Sequence, residues 1–303
     1  MKNLIISILA ILALAFTIDR IGGNCMWWVN QHTNDVSGPK IKYLADSINE
    51  SVIFMGTSRC NSHYVPTIIS DSIGMSCYNG GVDASDCIYA HYLVLNLILQ
   101  HHTPSVICLE VMTSDYTTPK GHNPTETVSF FAPYFGRNQS ADSIFMLAGT
   151  YYKYMISHLY RYNAKAVSNI AGLLYSKQNG SINGYLPGSP PPIFPDKLGN
   201  AKTPSTVDSC KLEYVKKFIN ICHSHNIKLI FVVSPRYSLV EIDYYNPLKQ
   251  LANEMNIPFL DYHTKGLFTD HPEYFKDSGH LWDKGARLYS AIFASDLKKI
   301  LAE

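Results

Sequence analysis

Val52-Ile53-Phe54-Met55-Gly56-Thr57-Ser58-Arg59 is a short apolar run closed by a glycine and two hydroxyls. Four uninterrupted apolar residues, two of them β-branched, read as a strand covered on both faces, as in a parallel sheet. Gly56 marks a tight exit from it, and Ser58 stands where a helix would begin. Downstream, residues 65–73 read as a helix with Pro66 in its first turn. Residues 75–78 are a second strand, ending at Asn79-Gly80-Gly81. Residues 85–101 carry Ile88, Tyr92, Leu95, Ile98 and Leu99 at helical spacing, and 105–112 form a third apolar strand. The alternation resumes with a helix at 207–225, a strand at 227–234, a helix at 244–255, a strand at 257–260 and a last helix at 283–302. This order predicts an α/β fold, a doubly wound, mainly parallel five-stranded sheet of flavodoxin-like type. Ligands bind such sheets at the carboxyl ends of the strands. Ser58, Asn79-Gly80-Gly81, Thr113 and Pro235 all fall just after strands.

Near the other end of the chain, Asp277-Ser278-Gly279-His280-Leu281 follows the last predicted strand. Hydrolytic acyl transfer needs a nucleophilic hydroxyl, a base within hydrogen-bond reach and a group that orients the base. Ser58, His280 and Asp277 supply these three types. Each also has a plainer reading. A serine after a strand is commonly a helix N-cap. Asn79-Gly80-Gly81-Val82-Asp83-Ala84 also reads as a glycine-rich turn. Asp277 with His280 reads as a surface histidine beside a capping carboxylate. The chain has 12 histidines, so His63, His271 and its neighbour Asp270 compete for the same role.

Taken together, these segments resemble the SGNH/GDSL-type hydrolases, in the divergent branch tethered to membranes of bacterial cell envelopes. The resemblance runs over about 51–301. Gly56-Thr57-Ser58-Arg59 resembles the family's first block and Asp277-x-x-His280 its last. Asn79-Gly80-Gly81-Val82-Asp83-Ala84 resembles the second block, Asn-x-Gly-x-x-Gly, with Ala84 in place of the final glycine. The resemblance implies the SGNH hydrolase fold, with Ser58 as nucleophile, His280 as base and Asp277 as its orienter. Oxyanion donors would be the N–H groups of Ser58 and of Gly81 or Ala84, with Asn79 in the same block. The third block departs from the family. Leu109-Glu110-Val111-Met112-Thr113-Ser114-Asp115 contains no asparagine, and an ionised Glu110 cannot donate. One lost oxyanion donor costs roughly 3 kcal/mol of transition-state stabilisation, so Thr113, Ser114 or Arg59 would have to substitute. The implied activity is a serine esterase acting on an O-acyl ester, O-acetyl above all, of a cell-envelope glycan, with no metal or cofactor. An O-acyltransferase on the same triad, or a non-catalytic scaffold that binds glycan, fits the incomplete third block as well.

Composition bounds the partners. With 303 residues the chain can bury a large core, and a net charge of +1 with 16% charged residues leaves no basic stripe for nucleic acid. The 21 tyrosines suit sugar binding and ordinary packing alike. Seven cysteines show no CxxC pair and no zinc spacing, and the odd count leaves at least one thiol free. Lys2 and the apolar run from Leu4 to Ile18 read as an anchor or signal segment within 1–29, with Trp27 and Trp28 at a membrane interface. The expectation is a membrane-anchored, exported domain; a cleaved signal is the alternative. Residues 30–50 read as a polar linker, 51–303 as the hydrolase-like domain, and 113–204 as an insertion of loop, broken helix and Gly/Pro-rich linker.

Overall fold

The computed structural model describes all residues except 36, 86, 119–127, 176–179, 197–205, 239–244, 264–265, 269 and 303. Its centre is a five-stranded sheet of β1 (Val52–Met55), β2 (Cys77–Asn79), β3 (Val106–Glu110), β4 (Lys228–Val233) and β5 (Phe259–Asp261). The order is β2-β1-β3-β4-β5 and every pairing is parallel. This is the doubly wound, flavodoxin-like order expected from the alternation. The apolar runs are continuous because alternate residues serve opposite layers. Ile53, Met55, Ile107, Leu109 and Phe231 enter one core, while Val52, Phe54, Val106, Cys108 and Ile230 enter the other.

The helices lying wholly among the described residues are α1 (Lys2–His32), α2 (Gly38–Asp46), α3 (Ser58–His63), α4 (Pro66–Ile73), α5 (Ile88–Ile98), α6 (Gln139–Leu147), α7 (Tyr151–Ile156), α8 (Ala166–Leu174), α9 (Ser209–Ser224), α10 (Asn246–Glu254) and α11 (Asp283–Ala302). Within the stretch read as a linker, α2 is an ordered helix. Pro39 occupies its first turn, Ile41, Leu44 and Ala45 form its buried face, and Ile48, just past its end, continues the same i, i+3, i+4, i+7 spacing. The broken helix expected within 113–204 consists of α6, α7, a 3₁₀ turn at Leu159–Tyr162 and α8. Asn138 caps α6, its side chain accepting the N–H groups of Ser140 at 2.8 Å and Ala141 at 3.1 Å.

The loop around 180–188 has a structural task. The Asn183 carbonyl accepts the Asn79 N–H at 2.9 Å, covering the free edge of β2. Buried Tyr185 then ties the strap to α11 through Asp283, 3.0 Å away. The N-terminal helix α1 has 31 residues and a mean hydropathy of 2.3 over its most apolar stretch, long and apolar enough to cross a membrane. All seven cysteines are free, with Cys25 and Cys210 exposed and the rest buried.

Candidate active site

The site begins where β1 ends. Gly56 has φ +152°, and a Cβ there would sit 2.8 Å from both Cys60 Cβ and Glu110 Cβ. A residue without a side chain is therefore what lets the chain turn directly from β1 into α3. Thr57 occupies the N-cap position and Ser58 is the first helical residue. The hydroxyl of Ser58 is thus not a cap. It lies 2.8 Å from His280 Nε2.

His280 is delivered by a hairpin of β6 (Phe275–Asp277) and β7 (His280–Leu281), with Ser278 and Gly279 at the turn. Buried Phe275 and Leu281 pin this hairpin to the core, and the Tyr237 N–H donates to the Ser278 carbonyl at 2.9 Å. Asp277 Oδ1 accepts the N–H groups of Gly279 at 2.8 Å and His280 at 3.0 Å. The same oxygen lies 2.8 Å from His280 Nδ1, with Oδ2 at 3.1 Å. A carboxylate on Nδ1 places the ring proton there and leaves Nε2 as an acceptor facing Ser58. Burial pushes the Asp277 carboxyl up, but the Gly279 N–H and the His280 ring outweigh it and hold the group below the usual carboxylate range. The His280 and Asp277 side chains are 31% and 52% exposed, so the site is open to solvent.

Behind this surface lies a buried polar bracket. His63 stands edge-on to His280, ring centroids 6.4 Å apart. Its Nε2 accepts the Leu281 N–H at 3.0 Å, and its Nδ1 faces Ser234 Oγ at 2.7 Å. Ser234 Oγ donates to Glu110 Oε1 at 2.7 Å, and Glu110 also takes the Tyr64 hydroxyl. Arg59 Nη2 pairs with Glu110 Oε1 at 3.2 Å. Burial above all, then the charges of His280, Arg59 and Arg236, hold His63 well below the ordinary histidine range. It is a neutral support for the loop that carries His280. Burial pushes the Glu110 carboxyl up against the opposing pull of Arg59, Tyr64 and Ser234. Nothing in the local sequence marked Glu110 and Ser234 as partners; only the register of β3 beside β4, Glu110 opposite Val232, brings them together.

The other sequence-derived residues sit around rather than on the Ser58–His280 contact. Asn79 is fully buried and clamps α3 from behind, donating to the carbonyls of Cys60 at 2.7 Å and Tyr64 at 2.8 Å. The Gly81 N–H is spent on Asn79 Oδ1 at 3.0 Å, and a Cβ on Gly81 would lie 2.4 Å from Asn61 N. Ala84 is exposed with φ 60°, the left-handed region in which the resembling family places glycine. Arg59 is 3% exposed and serves Glu110 and the Val111 carbonyl, 3.2 Å away. Thr113 opens a 3₁₀ turn, its carbonyl accepting the Thr117 hydroxyl at 2.8 Å. His271 pairs with Glu273 at 2.9 Å. Among the described residues, no group of three or more His, Cys, Asp or Glu side chains gathers to hold a metal.

A cavity of about 360 Å³ opens beside α3, lined by Lys40, Tyr43, Glu50, Asn61, Tyr78 and Asn183. Asn61 is one helical turn from Ser58. It takes Lys40 Nζ at 2.5 Å and donates to Asp83 at 2.9 Å. Burial, against the opposing pull of Cys60 and Asp83, brings the Lys40 ammonium down to about 8.

No protein-family model matches the chain, and no curated protein sequence matches it. Solved structures similar to it include a putative acylhydrolase from Bacteroides fragilis, 12% identical over 84% of this chain and 88% of the other, with a TM-score of 0.38. An acetyl xylan esterase is 14% identical over 82% of this chain and 99% of its own, at 0.41. A lipase/acylhydrolase from Enterococcus faecalis is 11% identical over 82% and 95%, at 0.35. Likenesses this distant leave the chemistry to be argued from the chain's own residues.

Proposed function

We propose that this chain is a membrane-anchored serine esterase of SGNH type that removes an O-acyl group, O-acetyl first among them, from a cell-envelope glycan. The observation that carries this reading is the 2.8 Å approach of Ser58 Oγ to His280 Nε2, with Asp277 on the opposite ring nitrogen. As Ser58 Oγ bonds to the ester carbon, its proton passes to Nε2, and Asp277 stabilises the imidazolium. His280 returns that proton to the departing alcohol. Water then repeats the sequence on the acyl-serine, releasing the acid and restoring the hydroxyl. The N–H groups of Ser58 and Ala84 are the oxyanion donors in this scheme, since that of Gly81 already serves Asn79. The half-exposed histidine favours water over a sugar hydroxyl as acceptor, hence hydrolysis over transfer. The alcohol side fits the cavity beside α3, where two tyrosines and several polar groups suit a sugar. Helix α1 fits the role of membrane anchor, holding an exported domain in the cell envelope.

The test is turnover of a chromogenic acetate ester by the purified full-length protein, alongside labelling by a fluorophosphonate. The expected result is that Ser58→Ala abolishes labelling and lowers turnover by about 10³-fold or more. Equal rates in both proteins would refute esterase chemistry and favour a non-catalytic binding role. Acetyl transfer to a glycan outrunning hydrolysis would instead favour the transferase.

A further inference from the structure

We infer that residues 152–160 form a shelf lying at the boundary between the hydrocarbon and the headgroups of a lipid bilayer, beside the emerging α1 helix; this rests on α1 being a bilayer anchor.

Length is the first argument. The apolar run from Leu4 to Ile18 spans about 22 Å of helix at 1.5 Å per residue, against about 30 Å of hydrocarbon. The shortfall of about 8 Å is made up by roughly five more residues, which carries the bilayer edge past Asp19 and Arg20 to about Gly23. The two charges pair with each other at 3.7 Å, and the shelf supplies hydrogen bonds to both. The Asp19 carboxylate accepts the Ser157 hydroxyl and the N–H groups of His158 at 2.9 Å and Leu159 at 3.2 Å. Arg20 donates to the Ile156 carbonyl at 3.1 Å and lies over the Phe16 ring at 4.4 Å. Charges near hydrocarbon persist where they are paired in this way. The helix packs closely on the shelf at Gly22 and Gly23, and a cavity opens further along, between Met26 and Leu159, Tyr160 and Tyr162. A Cβ on Gly22 would sit 3.3 Å from the Leu159 side chain, and one on Gly23 would collide with His158 at 2.4 Å.

The outward face of the shelf is the second argument. Tyr152 (66%), Met155 (47%), Ile156 (68%), Leu159 (42%) and Tyr160 (40%) are all exposed. They continue the exposed apolar surface of α1 at Ile18 and Ile21. A contiguous apolar surface of this kind on a water-facing segment would be a liability. Beside an apolar span, with tyrosines among the outermost residues, it has the composition of a membrane-interface belt. The geometry commits the shelf to lipid because the His158 and Leu159 N–H groups face α1 while the Tyr152, Met155 and Ile156 side chains are left exposed.

The test uses the full chain with the exposed thiols removed (Cys25→Ser, Cys210→Ser) and single cysteines introduced as Ile11→Cys, Ile156→Cys or Glu254→Cys. Each is labelled with an environment-sensitive fluorophore and placed in phosphatidylethanolamine–phosphatidylglycerol vesicles. The expected result is loss of fluorescence at position 156 with lipids carrying a shallow nitroxide, at position 11 with a deep nitroxide, and at position 254 with aqueous iodide alone. Iodide quenching at 156 equal to that at 254, with 11 still in lipid, would overturn the shelf and leave the anchor standing. Shielding of 156 from both quenchers, with dipolar broadening between spin labels at that site, would mean a second copy covers it and would also overturn it. Position 11 outside lipid would remove the anchor and the shelf together.

Discussion

At the scale of single residues, the proposed chemistry rests on three side chains, and their partners decide what each can do. Ser58 is free to act because Thr57, one residue earlier, holds the N-cap position. His280 presents an acceptor nitrogen to it because Asp277 holds the other nitrogen. Replacing Asp277 with Asn keeps an oxygen for the Gly279 and His280 N–H groups, so the turn survives. It removes the negative charge and the bias toward an Nδ1 proton. The expected outcome of Asp277→Asn is a fall in kcat of about 10³–10⁴-fold with KM nearly unchanged, read from steady-state kinetics on the acetate ester. A drop confined to KM would mean that Asp277 binds substrate rather than orienting the base. These residues were legible in the sequence as types in the right order. Their pairing was not, because Ser58 read equally as a cap, and His63 and His271 matched the histidine pattern as well as His280 did.

At the scale of elements, the turn from β1 into α3 positions the nucleophile. Gly56→Ala would place a methyl 2.8 Å from two Cβ atoms in a left-handed conformation that alanine resists. Backbone strain and overpacking each cost about 1–3 kcal/mol, so a loss of about 2–5 kcal/mol is expected. Urea denaturation checks it as a lower midpoint with an unchanged slope. The long elements α9 and α11 were readable from periodicity because each buries one stripe over several turns, while α5, read from the same apolar spacing, is buried on every face. Helix α3 was readable only as a helix start at Ser58, not in its extent. Its six residues, Ser58–His63, carry no apolar stripe, and Asn79 clamps them from the side. Helix α2 hid in a segment of polar composition, although Ile41, Leu44, Ala45 and Ile48 already had the spacing of a buried face. Composition averaged over twenty residues conceals one narrow stripe.

At the scale of the whole molecule, the bracket of Glu110, Ser234 and His63 joins the ends of two central strands to the C-terminal hairpin. Its histidine makes folding pH-dependent with a definite sign. His63 stays neutral when folded and takes up a proton when unfolded below its ordinary pKa of about 6.5. Between about pH 6.5 and 5 the unfolded chain therefore binds more protons, and stability falls as pH falls, by about 1.4 kcal/mol per unit at the steepest. The raised Glu110 carboxyl works in the opposite direction as pH falls through its folded pKa toward the ordinary carboxylate range. Denaturant midpoints measured across this range should show the slope in the wild type. His63→Gln, which keeps a donor and an acceptor but does not titrate, should reduce it, leaving the share of His263, which burial holds down at about 4. An unchanged slope after the substitution would remove His63 from the account.

The sequence by itself determined the α/β alternation, the sheet edge at which the site lies and the apolar N-terminal helix. These follow from local composition and from the periodicity with which apolar residues recur, which each segment carries on its own. The tertiary structure alone decided which histidine meets Ser58, that Asn79 and Gly81 hold α3 in place, and that Glu110 and Arg59 form a buried support. Such pairings depend on strand register and on contacts between residues up to 222 positions apart, and no local pattern encodes a distance of that kind.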